Sequence, residues 1–421
     1  MAVLSRPHVS MEDVRNTIDT YIKELSAELY TLNQQIHGEP EIAFQEFKAQ
    51  THTSDFLNQQ GHSVQRGAYS LPTSLESTYG SKGRCVNFNA EYDALPGLGH
   101  ACGHNLIATA SIAAYLALAH TLKKYGVDGR AQLLGTPAEE DGGGKILLLN
   151  AGAYEKADLS LMIHPFVEDQ FRPNGTIGSA GQSSIAIVDL TAEFRGTSAH
   201  ASGNPWDGIN ALDALVASYN NVSMLRQQIK PDERIHGCIL QAPKITNAIP
   251  ESTKVKFSIR SPKAKSLKKL SQRVRKCLEA GGLATGCEVE ITEDLAYADL
   301  WVNDPLCSLF KNHMDSLGVP LSQGSQSENI SGSTDMGNVS QVIPGLHAII
   351  GIAAPKGTFP HNRAFAEAAG TKEAHLRILE AAKGMALTAW SAIVDDQVFS
   401  KIQGHFNKMK ETDGTLDLQS E

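Results

Sequence analysis

The chain has 421 residues, of which 41% are hydrophobic and 20% charged, and its net charge is −9. This length exceeds one ordinary domain, so two domains are expected. The acidic balance and the lack of a Lys- and Arg-rich stripe argue against nucleic acid as a partner. Six scattered cysteines, no signal-like start and no run of about 18 apolar residues predict a cytoplasmic protein without a membrane span.

The amino-terminal part of the chain predicts scaffold rather than chemistry. Apolar residues at three- and four-residue steps predict one helix from Met11 to about Ile36. The acidic residues of 39–41 break this pattern and are expected to serve as turn and cap residues. A second helix is expected from Phe44 to Asn58, followed by short strands over residues 63–90.

The stretch 91–105 concentrates residues that bind metals or orient their ligands. It follows an apolar strand and precedes an Ala- and Leu-rich helix, so Asp93, Cys102 and His104 are expected at the carboxyl end of a strand. Open α/β sheets place their active sites there. A thiolate and an imidazole one residue apart suit zinc or a similar ion. The alternative is a buried free cysteine beside a helix-capping histidine.

A second cluster, Glu139 and Glu140, follows the predicted strand 131–135. Adjacent carboxylates point in different directions, so one can bind a metal while the other accepts a proton from water. This division suits metal-assisted hydrolysis. A solvated acidic loop is the alternative. The glycines that follow do not indicate a phosphate site, because no Walker-type lysine stands in register.

Two histidines follow other predicted strands. His164 ends the strand 159–163 before Pro165, which is expected to reverse the chain, and His361 lies beyond the strand 348–352. Each alone could be an ordinary core histidine. Four strand ends that each carry a ligand type favour one metal site over four separate explanations.

The pattern changes between residues 183 and 295. It predicts an inserted unit of order β-α-β-β-α-β, with elements at 184–195, 207–227, 236–241, 253–261, 264–281 and 286–293. A further helix is expected from Lys372 to Asp395, and the chain after Lys408 is expected to fray.

Several motifs together resemble metallopeptidase family twenty, the aminoacylase and carboxypeptidase G group. They are Asp93–Pro96, His100–His104, Pro137–Glu140 and His164–Pro165. Two further motifs, Gly332–Ser340 and Ala366–Thr371, resemble the branch that holds p-aminobenzoyl-glutamate hydrolase and the cytosolic Xaa-Arg or β-alanyl-lysine dipeptidases.

The resemblance implies an α/β fold of two domains. A zinc-peptidase-like catalytic domain, with a mixed sheet flanked by helices, would span 1–182 and 296–421. A ferredoxin-like α+β domain inserted at 183–295 would serve as lid and dimerisation domain.

The resemblance also implies two divalent metal ions, zinc first and manganese or cobalt as alternatives. Their ligands would be Cys102 (bridging), His104, Glu140, His164 and His361. Glu139 would be the general base, and Asp93 would orient a ligand. His100 matches a motif without being a ligand. Two departures stand out: Glu91 occupies a position where Asp is commoner, which should be benign, and Asn362-Arg363 after His361 leaves substrate choice open.

Within the inserted domain, the resemblance implies that His200 helps to polarise the scissile carbonyl in a neighbouring subunit's site. Asn247 and Arg260 would hold the free carboxylate of the substrate, a role that suits a guanidinium. Ser333 and Thr334 are further substrate-binding candidates. A capped turn is the alternative for His200, and a surface ion pair on an edge strand for Arg260. Trp206 is interpreted as a core residue.

The expected function is a metal-dependent amidohydrolase or dipeptidase, acting as a homodimer. It would cleave the amide between an acyl or aminoacyl group and a C-terminal amino acid. One alternative is a secondary-metabolite amidase or a biosynthetic enzyme that uses the same site for condensation or binding. A non-catalytic oligomerising protein is disfavoured by the intact Glu139 and ligand set.

Overall fold

The computed structural model describes residues 9–171, 174–330 and 332–413. The chain forms two compact units, and both are discontinuous in sequence. The first unit comprises Met1–Ser183, Leu300–Ile330 and Thr334–Glu421; the second comprises Ser184–Asp299 and Ser331–Ser333. The expected roles of the second unit as lid and dimerisation domain remain predictions.

Twelve α-helices are found in the part of the chain that the structure describes. They are α1 (Met11–Glu24), α2 (Ser26–Gly38), α3 (Phe47–Gln59), α4 (His104–Tyr125), α5 (Gly144–Asn150), α6 (Ala211–Leu225), α7 (Ala264–Thr285), α8 (Asp304–Ser316), α9 (Met336–Ser340), α10 (Arg363–Ala369), α11 (Lys372–Val394) and α12 (Asp396–Asp413).

Most of the longer strands belong to two sheets, and several other strands have only two residues. They are β1 (Val64–Arg66), β2 (Leu75–Tyr79), β3 (Cys85–Glu91), β4 (Arg130–Thr136), β5 (Leu159–Val167), β6 (Gly178–Ser179), β7 (Gln182–Ser183), β8 (Ala186–Arg195), β9 (Ala199–His200), β10 (Arg234–Gln241), β11 (Ala248–Ile249), β12 (Ser252–Ser261), β13 (Glu288–Glu293), β14 (Ser325–Asn329) and β15 (Gly345–Ile352).

The first unit is built on a seven-stranded mixed sheet of order β1-β2-β4-β3-β5-β15-β6. Its four central strands, β4, β3, β5 and β15, are mutually parallel, whereas β2 and β6 run antiparallel to their neighbours. Helices such as α4 and α11 pack on the sheet, so the predicted mixed sheet flanked by helices is confirmed. Because the central strands are parallel, the loops at their carboxyl ends share one edge of the sheet.

Apolar burial explains the central elements of this unit. All seven residues of β3 are buried, and so is almost every residue of α4. By length and hydropathy α4 could cross a membrane, but 94% of its most apolar window is buried inside the structure. A helix that is apolar on all sides is typical of the middle of a large core.

Two predictions about the first unit are wrong in detail. The helix expected from Met11 to Ile36 is two helices, because the backbone at Leu25 has ψ −2° and interrupts the helical geometry. Pro165 does not reverse the chain; β5 continues to Val167 and pairs with β15 from Ser160 to Val167. Proline is tolerated there because β3 pairs with β5 only as far as Leu161, which leaves that flank of the strand without a ladder from β3.

The second unit contains a four-stranded antiparallel sheet of order β10-β12-β8-β13. Helices α6 and α7 pack on this sheet around a separate apolar core. Along the chain its main elements follow the order β8-α6-β10-β12-α7-β13, so the predicted β-α-β-β-α-β arrangement is confirmed. Helix α12 continues to Asp413. The rest of the tail that was expected to fray, residues 414–421, lies outside the described residues.

Candidate active site

The loop after β3 brings Cys102 and His104 to the carboxyl edge of the central sheet. Between them Gly103 has φ +80°, and a Cβ there would lie 2.5 Å from Cγ of Pro165. Glycine therefore lets the loop pass close to β5 and start α4 at His104. As a result Sγ of Cys102 lies 3.4 Å from Nε2 of His164, a residue of the neighbouring strand.

Asp93 organises this loop from its base. Nδ1 of His104 donates a hydrogen bond to the backbone carbonyl of Asp93 at 2.8 Å and lies 3.1 Å from its carboxylate Oδ1. The second carboxylate oxygen accepts a hydrogen bond from the backbone N–H of Glu140 at 3.0 Å. Asp93 thus joins the first predicted cluster to the second, as expected of a residue that orients metal ligands.

The glutamate pair lies on a tight turn after β4. A Cβ on Gly144 would lie 1.8 Å from the backbone oxygen of Pro137, so only glycine fits this turn. Ala138 has a positive φ of 59°, and its N–H donates to Oε1 of buried Glu46 at 2.8 Å. This backbone directs Glu139 and Glu140 to the site, where each has a carboxylate oxygen 3.8 Å from Nε2 of His104.

His361 reaches the same place from the loop after β15. Its φ is +66°, which a non-glycine residue rarely adopts, and its N–H donates to the carbonyl of Ala101 at 2.8 Å. Its Nε2 lies 3.4 Å from Oε1 of Glu140. Left-handed backbone at two places, Ala138 and His361, shows that the surrounding contacts hold this site against local strain.

The donor atoms of this site suit a divalent cation. Nδ1 of both His104 and His164 faces a carbonyl oxygen and must donate, so each ring can present a lone pair at Nε2. Nε2 of His104 and Oε1 of Glu140 are buried, and no described residue forms a hydrogen bond with either. Two sets of potential ligands meet within 4.8 Å: Cys102 with His104 and His164, and Cys102 with Glu140 and His361.

The protonation behaviour of the site agrees with a place for positive charge. Burial, followed by the charges of Glu91 and Glu140, raises the pKa of Glu139 well above its usual value. Burial and the charge of Glu140 likewise raise the pKa of the Cys102 thiol. Burial lowers the pKa of His104, but the charges and hydrogen bonds of Asp93 and Cys102 together outweigh burial and raise the pKa well above its usual value. These shifts reflect clustered negative charge, which a bound cation would offset.

A buried charge cluster beside the site was missed by the sequence analysis. Nζ of Lys145 lies 2.5 Å from Oε1 of Glu91 and 2.6 Å from Oδ1 of Asp335, and all three side chains are fully buried. The sequence alone presents Glu91 only as a benign departure from aspartate. The sequence did contain one signal for this cluster. Lys145 stands at the start of a short apolar helix, and a lysine buried there needs an acidic partner.

The remaining predicted residues belong to other surroundings. His200 is exposed in the second unit, where its Nδ1 accepts hydrogen bonds from the backbone N–H groups of Ser202 and Gly203 at 3.2 and 3.1 Å. Asn247 is exposed nearby, and its carbonyl accepts from the N–H of Ala201. The turn expected as the alternative for His200 is therefore present, and it leaves Nε2 outside these contacts.

Arg260 lies on β12, an interior strand, and not on an edge as the alternative required. It is half-buried, and its Nη1 donates to Oγ of Ser333 at 3.3 Å; that hydroxyl donates in turn to the carbonyl of Ile185. Thr334 is buried in the first unit, where its Oγ1 accepts from the N–H of Met336. The interpretation of Trp206 as a core residue is wrong, because Trp206 is 78% exposed and lies in a short helical turn, Pro205–Asp207, that has no buried residue.

The chain is similar to known peptidases over most of its length. It is 37% identical over 399 residues to an Xaa-Arg dipeptidase of Mus musculus, covering 91% of this chain and 90% of that protein. It is 29% identical over 329 residues to one of the polypeptides of p-aminobenzoyl-glutamate hydrolase from Escherichia coli, covering 74% of this chain and 66% of the relative.

A solved dinuclear metal-binding peptidase of the M20 family, from Bacillus subtilis, has the same fold. Its TM-score is 0.63 at 19% identity, and the match covers 88% of this chain and 99% of that one. The model of Peptidase family M20/M25/M40 matches residues 87–378, which include all the candidate ligands and both glutamates. The resemblance inferred from the motifs is confirmed: the chain belongs to Peptidase family M20/M25/M40 and is a metal-dependent hydrolase of amide C–N bonds.

Proposed function

We propose that this chain is a two-metal dipeptidase that releases a C-terminal amino acid. The observation that carries the proposal is the meeting of five ligand-type side chains and Glu139 at one edge of the parallel strands. Their spacing supports two ions, and Cys102 would help to hold both because its thiol belongs to both three-residue groups. His104 and His164 complete one group, and Glu140 and His361 the other. Zinc is the first choice because thiolate and imidazole together favour it; manganese and cobalt are the alternatives.

Bound divalent ions would acidify water and polarise the scissile carbonyl. The chain's own contribution begins with Glu139, whose carboxylate faces the same space as Nε2 of His104 and is placed to take a proton from the attacking water. The same group then delivers that proton to the leaving amine. Asp93 keeps the His104 ring in position through Nδ1. Since it also holds the N–H of Glu140, it fixes two proposed ligands at once.

The second unit is proposed to supply substrate recognition. Arg260, held by Ser333, is a forked cation suited to the free carboxylate of the substrate, and Asn247 is proposed to assist it. Thr334, which belongs to the first unit, is a further proposed substrate-binding residue. His200 is proposed to polarise the carbonyl across a homodimer formed through this unit. The 37% identity to an Xaa-Arg dipeptidase favours dipeptides that end in arginine as the first substrates to test.

A second candidate substrate class is an N-acyl amino acid. The similarity to the Escherichia coli p-aminobenzoyl-glutamate hydrolase polypeptide favours acyl-glutamates within that class. We also propose a cytoplasmic location, supported by six cysteines that are all free.

The test is a substrate panel assayed with metal-loaded protein. The panel contains dipeptides ending in basic, acidic and apolar residues, the same dipeptides amidated at the C-terminus, and acyl-glutamates. We expect hydrolysis of at least one class with a free carboxylate, loss of activity on chelation, and recovery when zinc, manganese or cobalt is restored. Hydrolysis that survives exhaustive chelation, or metal-loaded protein that cleaves no member, would refute the proposed activity.

A further inference from the structure

The buried cluster of Glu91, Lys145 and Asp335, here called the Lys145 cluster, lies against the candidate metal centre. Glu91 ends β3, Lys145 lies in α5, and Asp335 immediately precedes α9. All three side chains have 0% exposure. Burying ionisable groups is costly unless they are paired, and here two carboxylates share one ammonium.

Asp335 fixes Lys145 at two points. Its Oδ1 lies 2.6 Å from the ammonium Nζ, and its Oδ2 accepts the backbone N–H of Lys145 at 2.8 Å. Both carboxylate oxygens are thereby used on one residue. The lysine is therefore held at its backbone N–H and at its ammonium, and the ammonium also lies 2.5 Å from Oε1 of Glu91.

The other oxygen of Glu91 points toward the site. Oε2 lies 3.5 Å from Nε2 of His104, and among the residues the structure describes neither atom forms a hydrogen bond. Two ligands each about 2 Å from one zinc ion lie about 3 to 4 Å apart, so this separation fits a shared cation. Glu91, His104 and Glu139 also form a group whose potential ligand atoms all lie within 4.8 Å of one another.

We propose that Glu91 is an additional carboxylate partner of the metal centre, and that Lys145, anchored by Asp335, is the positioning residue that presents it. Lys145 holds Oε1 and leaves Oε2 for the cation beside His104. It also offsets one negative charge, so that the added carboxylate does not overload a centre that already contains Glu139 and Glu140. This inference rests on the metal centre of the proposed function.

The direct test is Glu91→Gln, which keeps the size of the side chain and removes its charge. Zinc binding to the metal-free full chain is measured by isothermal titration calorimetry, and the cobalt-substituted protein by its visible absorption spectrum. We expect the affinity for one of two ions to fall about 10- to 100-fold, with a changed cobalt spectrum. Unchanged zinc affinities together with an unchanged spectrum would overturn the role of Glu91.

Lys145→Met tests the positioning role, and the chain provides a matched control. Lys383 also sits between two carboxylates, 2.7 Å from Asp19 and 2.7 Å from Glu380, with a side chain only 5% exposed. Both methionine variants should lower the melting temperature, but only Lys145→Met should weaken metal binding and shift the cobalt spectrum. Equal metal affinities in the two variants would reduce Lys145 to a structural residue.

If Lys145→Met does not fold, Asp335→Asn tests the positioning role of Lys145 instead. This change removes the charge that anchors the lysine and keeps an oxygen that can accept its backbone N–H. It should reproduce the loss of metal affinity in weaker form, and wild-type affinity would contradict the anchoring role. Wild-type protein that binds no metal would instead overturn the proposed function, so the two failures are distinguishable.

Discussion

The carboxylate of Asp93 lies 3.1 Å from Nδ1 of His104 and also accepts the backbone N–H of Glu140, so one side chain orients two proposed ligands. Replacing it with alanine should weaken metal binding about 10- to 100-fold, as is typical for residues that orient ligands. Competition with a chelator of known affinity measures the change.

Glu46→Gln is the control for this substitution. Glu46 is another buried carboxyl, and it accepts the backbone N–H of Ala138, the residue before Glu139. Glutamine keeps that acceptor, so metal affinity should stay near the wild-type value. An Asp93→Ala protein with wild-type affinity would show that the backbone carbonyl of Asp93 suffices to orient the ring.

Glu139→Gln should separate catalysis from metal binding. If Glu139 accepts the proton from water, the variant should fold and bind both ions while turnover falls by at least about a hundredfold. Turnover, metal content by elemental analysis and melting temperature are measured on the same preparation. Turnover within a few-fold of wild type would exclude the role of general base.

Cys102→Ala should behave in the opposite way. Cys102 belongs to both candidate ligand groups, so its loss should reduce metal content as well as turnover. Two ions per chain in this variant would remove Cys102 from the site.

Periodicity and motif spacing predicted the sheet and the ligand types because both depend on local pattern. A buried parallel strand such as β3 is a continuous apolar run, and ligands that follow such strands must meet at one edge. The break at Leu25 was beyond this reasoning, since one residue with altered ψ does not disturb the spacing of apolar positions. The prediction for Pro165 failed because a proline usually ends a strand, and the sequence alone does not show which neighbouring strands pair with it.

The Lys145 cluster escaped for a different reason. Glu91, Lys145 and Asp335 are far apart in sequence, and no local pattern relates a carboxylate on a strand to a lysine on a short helix. Only the fold brings the ammonium of Lys145 within 2.6 Å of a carboxylate oxygen of Glu91 and of Asp335. Trp206 shows the converse: an aromatic residue suggests a core, although a turn after β9 leaves it exposed.

Arg260→Ala should act on substrate binding. If its guanidinium holds the substrate carboxylate, KM for substrates with a free carboxylate should rise by the equivalent of about 1.5 to 3 kcal/mol, roughly 10- to 150-fold. Amidated substrates lack that carboxylate and should be little affected. Steady-state kinetics on matched free and amidated peptides gives the comparison.

Ser333→Ala is the companion variant, because Oγ of Ser333 accepts the hydrogen bond from Arg260. Losing this support should raise KM less than losing the guanidinium does. An equal rise for free and amidated peptides in Arg260→Ala would indicate a general packing defect and not carboxylate recognition.

His313 should make the stability of the first unit depend on pH. It lies on α8 with its Nε2 3.1 Å from Oγ of Ser391, and burial, with a contribution from Arg15, lowers its pKa to about 4 from 6.5. Between these values the unfolded chain binds a proton that the folded chain does not. Stability is therefore fully present above about pH 6.5 and is lost as the pH falls toward 4, by about 2 to 3 kcal/mol for this group.

Urea unfolding of chelated protein at intervals from pH 7 to pH 4 measures this dependence without interference from metal release. His313→Gln cannot take up the proton, so its stability should fall less steeply over this range than that of the wild type. Ser391→Ala removes the hydroxyl partner and keeps the histidine, so it should lower stability at pH 7 and retain a steep dependence on pH. If the glutamine variant follows the wild-type slope throughout, the buried histidine is not the group that acid protonates on unfolding.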